Sequence, residues 1–268
     1  MQTSNVSAKD AMTLRQRTGL GIMECKSALA EANGDMKAAE TLLRERLKGK
    51  MDTRVDRAAG EGCVAITTQG AKAVVVELRA ETDFTARNEN FRKMAADVAT
   101  IALAHKAGPI AADAAMTARI DDLRITTGEN ISLARGEVLE GGSFGQYIHH
   151  DGKLAVLLQW NGAMPADIAT GICQHVAAHV PTPRAIDEKG MSADLVAETK
   201  AAAIKEAEAS GKPAQIAEKI AEGKVRKFFE DNTLLGQKFV KDDKKAVKEI
   251  LPAGVTITRF LRYQVGGE

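Results

Sequence analysis

Alternating apolar and polar positions predict two similar strands, one in each half of the chain. The runs GAKAVVVELRA, from Gly70, and GKLAVLLQWNG, from Gly152, align with apolar residues at matching positions. The matching positions are Val74, Val76 and Leu78 in the first run and Val156, Leu158 and Trp160 in the second. Because residues two apart on a strand face the same side of a sheet, each set predicts one buried face.

The segments around these two strands repeat as well. Each strand follows another strand-like run through a turn that contains glycine, which predicts a hairpin. Each is followed by an apolar run with helical spacing and, later, by one further strand. The repeated runs are CVAITT, MAADVATIALAH and GENISLARGEVLE in the first copy, and GQYIHH, DIATGICQHVAAHV and GVTITRFLRYQVG in the second. We therefore predict an α+β fold with antiparallel sheets, in two core subdomains over residues 61–140 and 141–268.

Residues 1–47 are predicted to form a three-helix module of the ubiquitin-associated-like kind. Ser7 to Asp10 resembles a capping box, and glycine-containing breaks at Thr18 to Gly21 and Asn33 to Asp35 separate the helices. The residues expected to form its core are Ile22, Leu29, Ala39, Leu42 and Leu43. The next stretch, Lys48 to Gly60, is polar and basic without an apolar period, which predicts a linker.

The second copy contains an addition at about residues 192–230, rich in Ala, Glu and Lys on both sides of a turn at Ser210 to Pro213. Small residues in the first arm permit close approach, at Ala202, Ala203 and Ala207. The second arm has an apolar side made of Ile216, Ile220, Val225, Phe228 and Phe229. This pattern predicts a projecting antiparallel helical hairpin.

The first copy has its own extra segment, ETDFTARNEN, between its central strand and the helix that follows. It places Phe84, one of seven phenylalanines, at a strand-to-helix junction. In one interpretation Phe84 folds inward as a staple at the helix start, with Thr82 or Asp83 as the N-cap. In the other it is exposed beside a carboxylate and anchors a protein partner, where burial contributes roughly 1.5–3 kcal/mol. The residue pattern alone leaves both open.

Composition narrows the function classes. The chain has 37 basic and 36 acidic residues among 268, so its bulk charge predicts no binding to nucleic acid or to an anionic membrane. The N-terminal MQTSNVSAKD lacks the apolar core of a signal peptide, and no run approaches the roughly 18 apolar residues of a membrane helix. Cys25, Cys63 and Cys173 are odd in number and far apart, which argues against a disulfide framework. We expect a cytoplasmic protein.

No enzyme signature is present. The chain has no GxxxxGK[ST], no GxSxG and no GxGxxG between a strand and a helix. His175 and His179 share a helix face, but Val176 stands where a zincin has Glu, so a core or surface histidine pair is favoured over a metal site. Asp121 and Asp122 are interpreted as a solvated helix face. We predict no catalytic residues, no cofactor and no metal.

Several motifs, in order along the chain, resemble those of the bacterial elongation factor Ts family. They are LRQRTGLGIMECKSALAEANGD, ETDFTARN, GENI, HVAAHVPTP and SGKPAQIAEKIAEGKVRKF. The resemblance covers nearly the whole chain. It implies guanine nucleotide exchange on the translational GTPase elongation factor Tu, in its GDP-bound and nucleotide-free forms, without bond-making chemistry. It also allows a complex with two copies of each protein.

The resemblance implies specific contact residues. Thr82, Asp83, Phe84 and His149 match positions that act at the partner's Mg²⁺ and phosphate site, and His150 is the alternative to His149. Other contacts with the partner are implied for Arg15, Ile22, Met23 and Gly128. The chain departs from the family pattern at Thr127, before Gly128, and at Ile148, before His149.

Two rival functions would depend on other parts of the chain. A plain scaffold would hold its partner through the N-terminal helices without accelerating exchange. A metal hydrolase would use His175 and His179. An exchange factor must instead bind the empty GTPase better than the loaded one, and this coupling is reciprocal.

Overall fold

The computed structural model describes residues 7–267, with only the backbone described at 50–52. Contacts divide the chain into two compact units. Of the described residues, the first unit comprises 7–67, Val74–Val138 and 264–267, and the second comprises Thr68–Ala73 and Leu139–Tyr263. Helices and antiparallel strand pairs confirm the predicted α+β class. The finer division into module, linker and subdomains remains a prediction.

The first unit begins with three helices, α1 (Ala8–Thr18), α2 (Ile22–Glu31) and α3 (Met36–Asp52). Ser7 caps α1, since its Oγ accepts a hydrogen bond of 3.1 Å from the Lys9 N–H. The buried residues of the core that these helices enclose are Ala11, Leu14, Leu20, Cys25, Ala28, Leu29, Ala39, Leu43 and Leu47. The predicted core is therefore largely correct, although Leu42 is only half-buried and Ile22 packs at the edge.

Helix α3 continues to Asp52, so residues 48–52 of the predicted linker are helical. Lysine and methionine are good helix formers, and the absence of an apolar period did not stop the helix. Side chains of α3 reach a later helix, α6 (Ala114–Thr127), where Arg44 Nη1 donates to Asp122 Oδ1 at 2.8 Å and Lys48 Nζ lies 3.7 Å from Asp121 Oδ2. Asp121 also accepts from Arg124 at 2.8 Å and is buried, so its interpretation as part of a solvated face is wrong.

The first sheet has four strands, in the order β1-β2-β4-β3. Their bounds are β1 (Glu61–Gln69), β2 (Lys72–Ala80), β3 (Gly108–Pro109) and β4 (Ser132–Glu140). Two further helices, α4 (Asp83–Arg87) and α5 (Glu89–Ala102), follow β2. Val74, Val76 and Leu78 join Phe91 and Met94 in one core, which confirms the predicted buried face of β2.

The opposite face of β2 is buried too, which alternation did not predict. Val75 is fully buried, and Glu77 is only 1% exposed. The Glu77 carboxylate lies 2.7 Å from Nε of both Arg79 and Arg135, and it accepts a 3.2 Å hydrogen bond from the Gly266 N–H. A buried charge needs such partners to remain ionised. The second face of β2 can therefore be buried although it contains the charged residue Glu77, because Glu77 forms ion pairs there.

The second unit contains the other predicted hairpin, β5 (Ser143–Ile148) and β6 (Leu154–Asn161), paired antiparallel with Tyr147 opposite Val156. Strand β9 (Thr256–Gln264) lies beside β6, and a separate ribbon is formed by β7 (Lys238–Phe239) and β8 (Asp242–Ala246). Short elements at Glu188–Gly190 (3-10) and α10 (Val247–Ile250) complete it. Helix α7 (Ala166–Ala178) packs on β5 at Gly145, where an added Cβ would lie 3.2 Å from the Ala169 Cβ.

Val156, Leu158 and Trp160 enter the core of the second unit, as predicted. Ala155 and Leu157, which alternate with them on β6, are fully buried as well. Both central strands, β2 and β6, are therefore buried on two faces rather than one.

Helices α8 (Ala193–Ala209) and α9 (Ala214–Asn232) form the predicted helical hairpin. The residues buried between its arms are Ala203, Ala207, Ala217 and Ala221. Two details of the prediction are wrong, since Ala202 and Ile216 are exposed. The larger residues of the second arm, Ile220, Val225, Phe228 and Phe229, are only half-buried. Alanine contacts bring the two backbones together and leave these larger side chains at the margin.

A buried hydrogen-bond network surrounds His175. Its Nδ1 accepts from the Val240 N–H at 3.2 Å, so the proton is on Nε2, which donates to Gln237 Oε1 at 3.0 Å. The Gln237 side-chain amide donates in turn to the carbonyls of Pro181, at 2.8 Å, and Asp231, at 2.7 Å. His175 is thus a core histidine that connects α7 to the end of α9 and to the ribbon.

Among the described residues, no group of three or more His, Cys, Asp or Glu is placed to hold a metal ion. No helix in the described part of the chain is long and apolar enough to cross a lipid bilayer.

Burial lowers the pKa of His175 from 6.5 to about 4. In the unfolded chain this imidazole takes up a proton near pH 6.5, whereas in the folded protein it stays neutral until about pH 4. The unfolded state then binds more protons, so stability is complete above about pH 6.5 and falls as the pH drops through this window. Between pH 6.5 and about pH 4, we expect this difference in His175 protonation to lower the free energy of unfolding by about 3 kcal/mol.

Urea unfolding of wild type, His175→Gln and the exposed-histidine control His150→Gln, at pH values from 7.5 to 4.5, measures this contribution. The His175→Gln protein should lose less stability on acidification than wild type, and His150→Gln should follow wild type. Parallel curves for wild type and His175→Gln would contradict the expectation.

Candidate partner-binding site

Helix α4 is a five-residue helix between the end of β2 and the start of α5. Thr82 is its N-cap, with extended backbone and Oγ1 accepting from the Thr85 N–H at 3.3 Å. Asn88 ends α4 in an extended conformation and at once caps α5, since its Oδ1 accepts from the Asn90 N–H at 2.8 Å. The Thr82 cap therefore begins α4, and the Asn88 cap separates α4 from α5.

Phe84 is 85% exposed, while the next two residues, Thr85 and Ala86, are buried. Successive helical residues differ in direction by about 100°, so one face of α4 packs inward and Phe84 points to solvent. The inward-staple interpretation is therefore wrong. The other six phenylalanines of the chain are buried or half-buried, which makes Phe84 the exception.

Asp83 and Arg87 flank the exposed ring. The Asp83 carboxylate lies 3.3 Å from Arg87 Nη2; the Arg87 side chain is largely exposed and that of Asp83 is about half-exposed. An exposed pair of this kind contributes little to stability because water screens it. The surface thus presents an apolar ring next to a carboxylate that can exchange its partner.

Beneath α4 lies Glu129, which the sequence did not single out. Its Oε1 accepts from the hydroxyls of Thr82 and Thr85, each at 2.7 Å, and its Oε2 accepts from the Thr82 N–H at 3.2 Å. Glu129 is part of the GENI motif, but the family resemblance implied a contact role only for Gly128 of that motif. Gly128 has a left-handed backbone (φ 73°) at the C-cap of α6, and its carbonyl accepts from Arg54 at 2.6 Å.

His149 lies in the turn between β5 and β6, in the second unit. Its N–H donates to the Leu154 carbonyl at 2.8 Å, and its Nδ1 lies 2.9 Å from the Tyr147 hydroxyl oxygen. The ring of His150 is 4.3 Å away, centroid to centroid. His149 is half-buried and His150 is exposed.

The three residues of the N-terminal helices that were predicted to contact the partner differ in exposure. Met23 is 72% exposed and Arg15 is exposed, whereas Ile22 packs partly against the core of the three helices. A groove of about 440 Å³ lies beside Met23. Its lining residues are Met23, Glu24, Ser27, Leu43, Arg46 and Leu47.

The cysteines do not offer a nucleophile. All three are free and buried. Burial raises the pKa of Cys63 and of Cys173 to about 12, so both thiols stay protonated at neutral pH.

Comparison with known proteins gives a consistent result over the chain. A family model described as Elongation factor TS matches residues 81–267. The chain is 39% identical, over 274 aligned residues, to Elongation factor Ts of Thioalkalivibrio sulfidiphilus, covering 97% of this chain and 92% of the relative. It is 38% identical to that of Methylococcus capsulatus, with 98% and 92% covered, and 36% identical to that of Hydrogenobaculum sp., with 97% and 99% covered.

Because Phe84 is exposed, we expect its removal to have little effect on the stability of the folded protein. Phe84→Ala should change the free energy of unfolding by no more than about 0.5 kcal/mol, because the ring has no core contacts to lose. Phe91→Ala is the matched comparison: this ring is fully buried in the core of the first unit, and its removal should cost about 3–5 kcal/mol.

Chemical denaturation of both variants beside wild type measures the difference. A Phe84→Ala protein destabilised as strongly as Phe91→Ala would show that the ring packs inward in solution.

Proposed function

The chain belongs to the elongation factor Ts family, and on that premise we propose that it is the guanine nucleotide exchange factor of elongation factor Tu. Membership makes it a translation elongation factor. The proposal adds that it binds GDP-bound elongation factor Tu, speeds GDP release by disturbing the Mg²⁺ and phosphate site, and leaves the empty partner ready for GTP. No bond is made or broken.

The observation that carries the proposal is the exposed ring of Phe84 on a helix held from its other side. The family match spans Phe84, Gly128 and His149. An aromatic side chain that is 85% exposed in the free protein has no structural use there, and such residues anchor protein–protein contacts.

Burying this ring in the partner would contribute roughly 1.5–3 kcal/mol. If the partner accepts the Phe84 ring only after its phosphate-binding elements have moved, the energy of burying the ring favours the nucleotide-free partner over the loaded one. Each 1.4 kcal/mol of such preference changes the nucleotide affinity about tenfold. By the same coupling, GDP or GTP weakens binding of the factor to an equal degree.

Asp83 supplies a charge beside the ring. Its exposed contact with Arg87 is weak, so the carboxylate is free to leave it when α4 approaches the partner. A carboxylate close to a bound Mg²⁺ competes for it and repels the phosphates. Apolar insertion and charge thus both act to weaken binding of the nucleotide.

For the second contact, the structure favours His149 over His150. The Tyr147 hydroxyl, 2.9 Å from Nδ1, restrains the ring of His149, whereas His150 is exposed. We propose His149 as a contact at the partner's nucleotide site. Arg15, Ile22, Met23 and Gly128 are proposed to contact the partner elsewhere, with Met23 and its groove offering apolar surface.

A scaffold would use the same exposed surfaces but would bind loaded and empty elongation factor Tu with equal affinity.

The mass of the isolated complex, by light scattering, decides whether it contains one or two copies of each protein.

Release of a fluorescent GDP analogue from elongation factor Tu, followed by stopped flow, tests the proposed function. Wild type should accelerate release, and Phe84→Ala should reduce the second-order rate constant about 10- to 100-fold, as expected from the loss of the ring's burial energy. Val240→Ala, which shortens another exposed apolar side chain, should behave as wild type.

The same measurement in excess chelator tests the Mg²⁺ step. Removing the metal speeds spontaneous release, so the acceleration contributed by the factor should shrink. Absence of any acceleration by wild type, with equal affinity for loaded and empty partner, would leave the scaffold function instead.

A further inference from the structure

The exposed ring of Phe84 cannot orient its own helix. Helix α4 has five residues, far fewer than the roughly 12–15 that an isolated helix needs to be even marginally stable. Its inward face offers only Thr85 and Ala86 as buried side chains. The direction in which Phe84 points must therefore depend on polar contacts at the start of α4.

Those contacts converge on one side chain. The Glu129 carboxylate accepts three hydrogen bonds, from the Thr82 N–H, the Thr82 hydroxyl and the Thr85 hydroxyl. The Thr82 hydroxyl oxygen is also the acceptor that caps α4. Bonds to an ionised acceptor are stronger than bonds between neutral groups. Glu129 thus holds the cap and the first turn of α4 together.

The segment that carries Glu129 is itself fixed at both ends. On one side, the Gly128 carbonyl accepts from Arg54 at 2.6 Å. On the other, the Asn130 N–H donates to Glu81 Oε1 at 2.7 Å, and its buried side-chain amide donates to the carbonyls of Val55, at 2.9 Å, and Arg57, at 2.8 Å. Glu129 is therefore a rigid support.

We propose that Glu129 is a positioning residue, which holds α4 from beneath and so fixes the direction of Phe84 for insertion into the partner. The part of this inference that concerns insertion rests on the proposed exchange function. Pre-organisation of the ring avoids an ordering cost on binding, so loss of Glu129 should slow exchange without removing any group that touches the partner.

Two substitutions separate positioning from a charge effect on the partner. Glu129→Ala removes all three acceptors. Glu129→Gln loses the charge, but its amide oxygen can accept from the Thr82 N–H while its NH₂ donates to the two hydroxyl oxygens. Positioning predicts that the Gln variant retains most of the wild-type behaviour. A direct charge effect predicts that Gln is as impaired as Ala.

The first readout needs no partner. Amide hydrogen exchange by NMR reports on the Ala86 and Asn88 N–H groups, which donate within α4 to the carbonyls of Thr82 and Thr85. We expect about tenfold faster exchange at both amides in Glu129→Ala, little change in Glu129→Gln, and no change at Val75 of β2. Unchanged amides in Glu129→Ala would overturn the proposal. If Val75 is also deprotected, Thr85→Val, which removes one of the three bonds, decides by the same local criterion.

The second readout is GDP release from elongation factor Tu. We expect about a tenfold lower second-order rate constant for Glu129→Ala and a loss within about threefold for Glu129→Gln. In a Phe84→Ala background, Glu129→Ala should cause a much smaller loss than in wild type, because most of its effect acts through the missing ring and only the placement of Asp83 is left to disturb. Additive losses would overturn the positioning role. If wild type fails to accelerate release, the exchange function falls, and the amide exchange still decides whether Glu129 holds α4.

Discussion

The hydrogen bonds that the Glu129 carboxylate accepts from Thr82 and Thr85 are the polar contacts that hold the start of α4, the helix that carries the exposed Phe84 ring. A ring that is left in water for a partner contributes nothing to its own placement, so every contact that holds it must come from the opposite side. Here those contacts are a threonine cap, two buried small residues and one carboxylate. The carboxylate is held in turn by a loop bonded to the segment after α3. Exposure of Phe84 and rigidity of its support are two consequences of one arrangement.

Buried polar groups with a full set of partners recur in both units. In the first, Glu77 lies on the second face of β2 between two arginines. In the second, His175 and Gln237 join α7 to the end of α9 through directed hydrogen bonds. Apolar packing alone tolerates small shifts, whereas a buried donor or acceptor without its partner is costly, so such groups specify one arrangement. The first network involves the central strand β2, and the second involves the helix α7.

The two repeats show how one architecture comes to serve different purposes. Their central strands enter their cores at matching positions, and each is followed by an apolar helix. The differences are local: a capped five-residue helix in the first copy, and a pair of alanine-packed helices in the second. The proposed insertion of Phe84 at the partner's nucleotide site depends on the first of these additions, which leaves this ring 85% exposed.

Periodicity and turn residues were enough to predict the α+β class, the repeat, the buried faces at Val74 and Val156, and the helical hairpin, because these signals act over a few neighbouring positions. The sequence also identified Phe84 as unusual; the residue pattern left its direction open, and only the family resemblance implied an exposed ring. The tertiary structure decided that direction, the second buried face of β2, the extension of α3 and the buried state of Asp121. The direction of Phe84, the second face of β2 and the burial of Asp121 depend on residues far apart in the chain, as with Glu129 and Thr82 or Arg135 and Glu77. A hydrogen bond or ion pair between such residues has no period along the sequence, so only the folded chain reveals it.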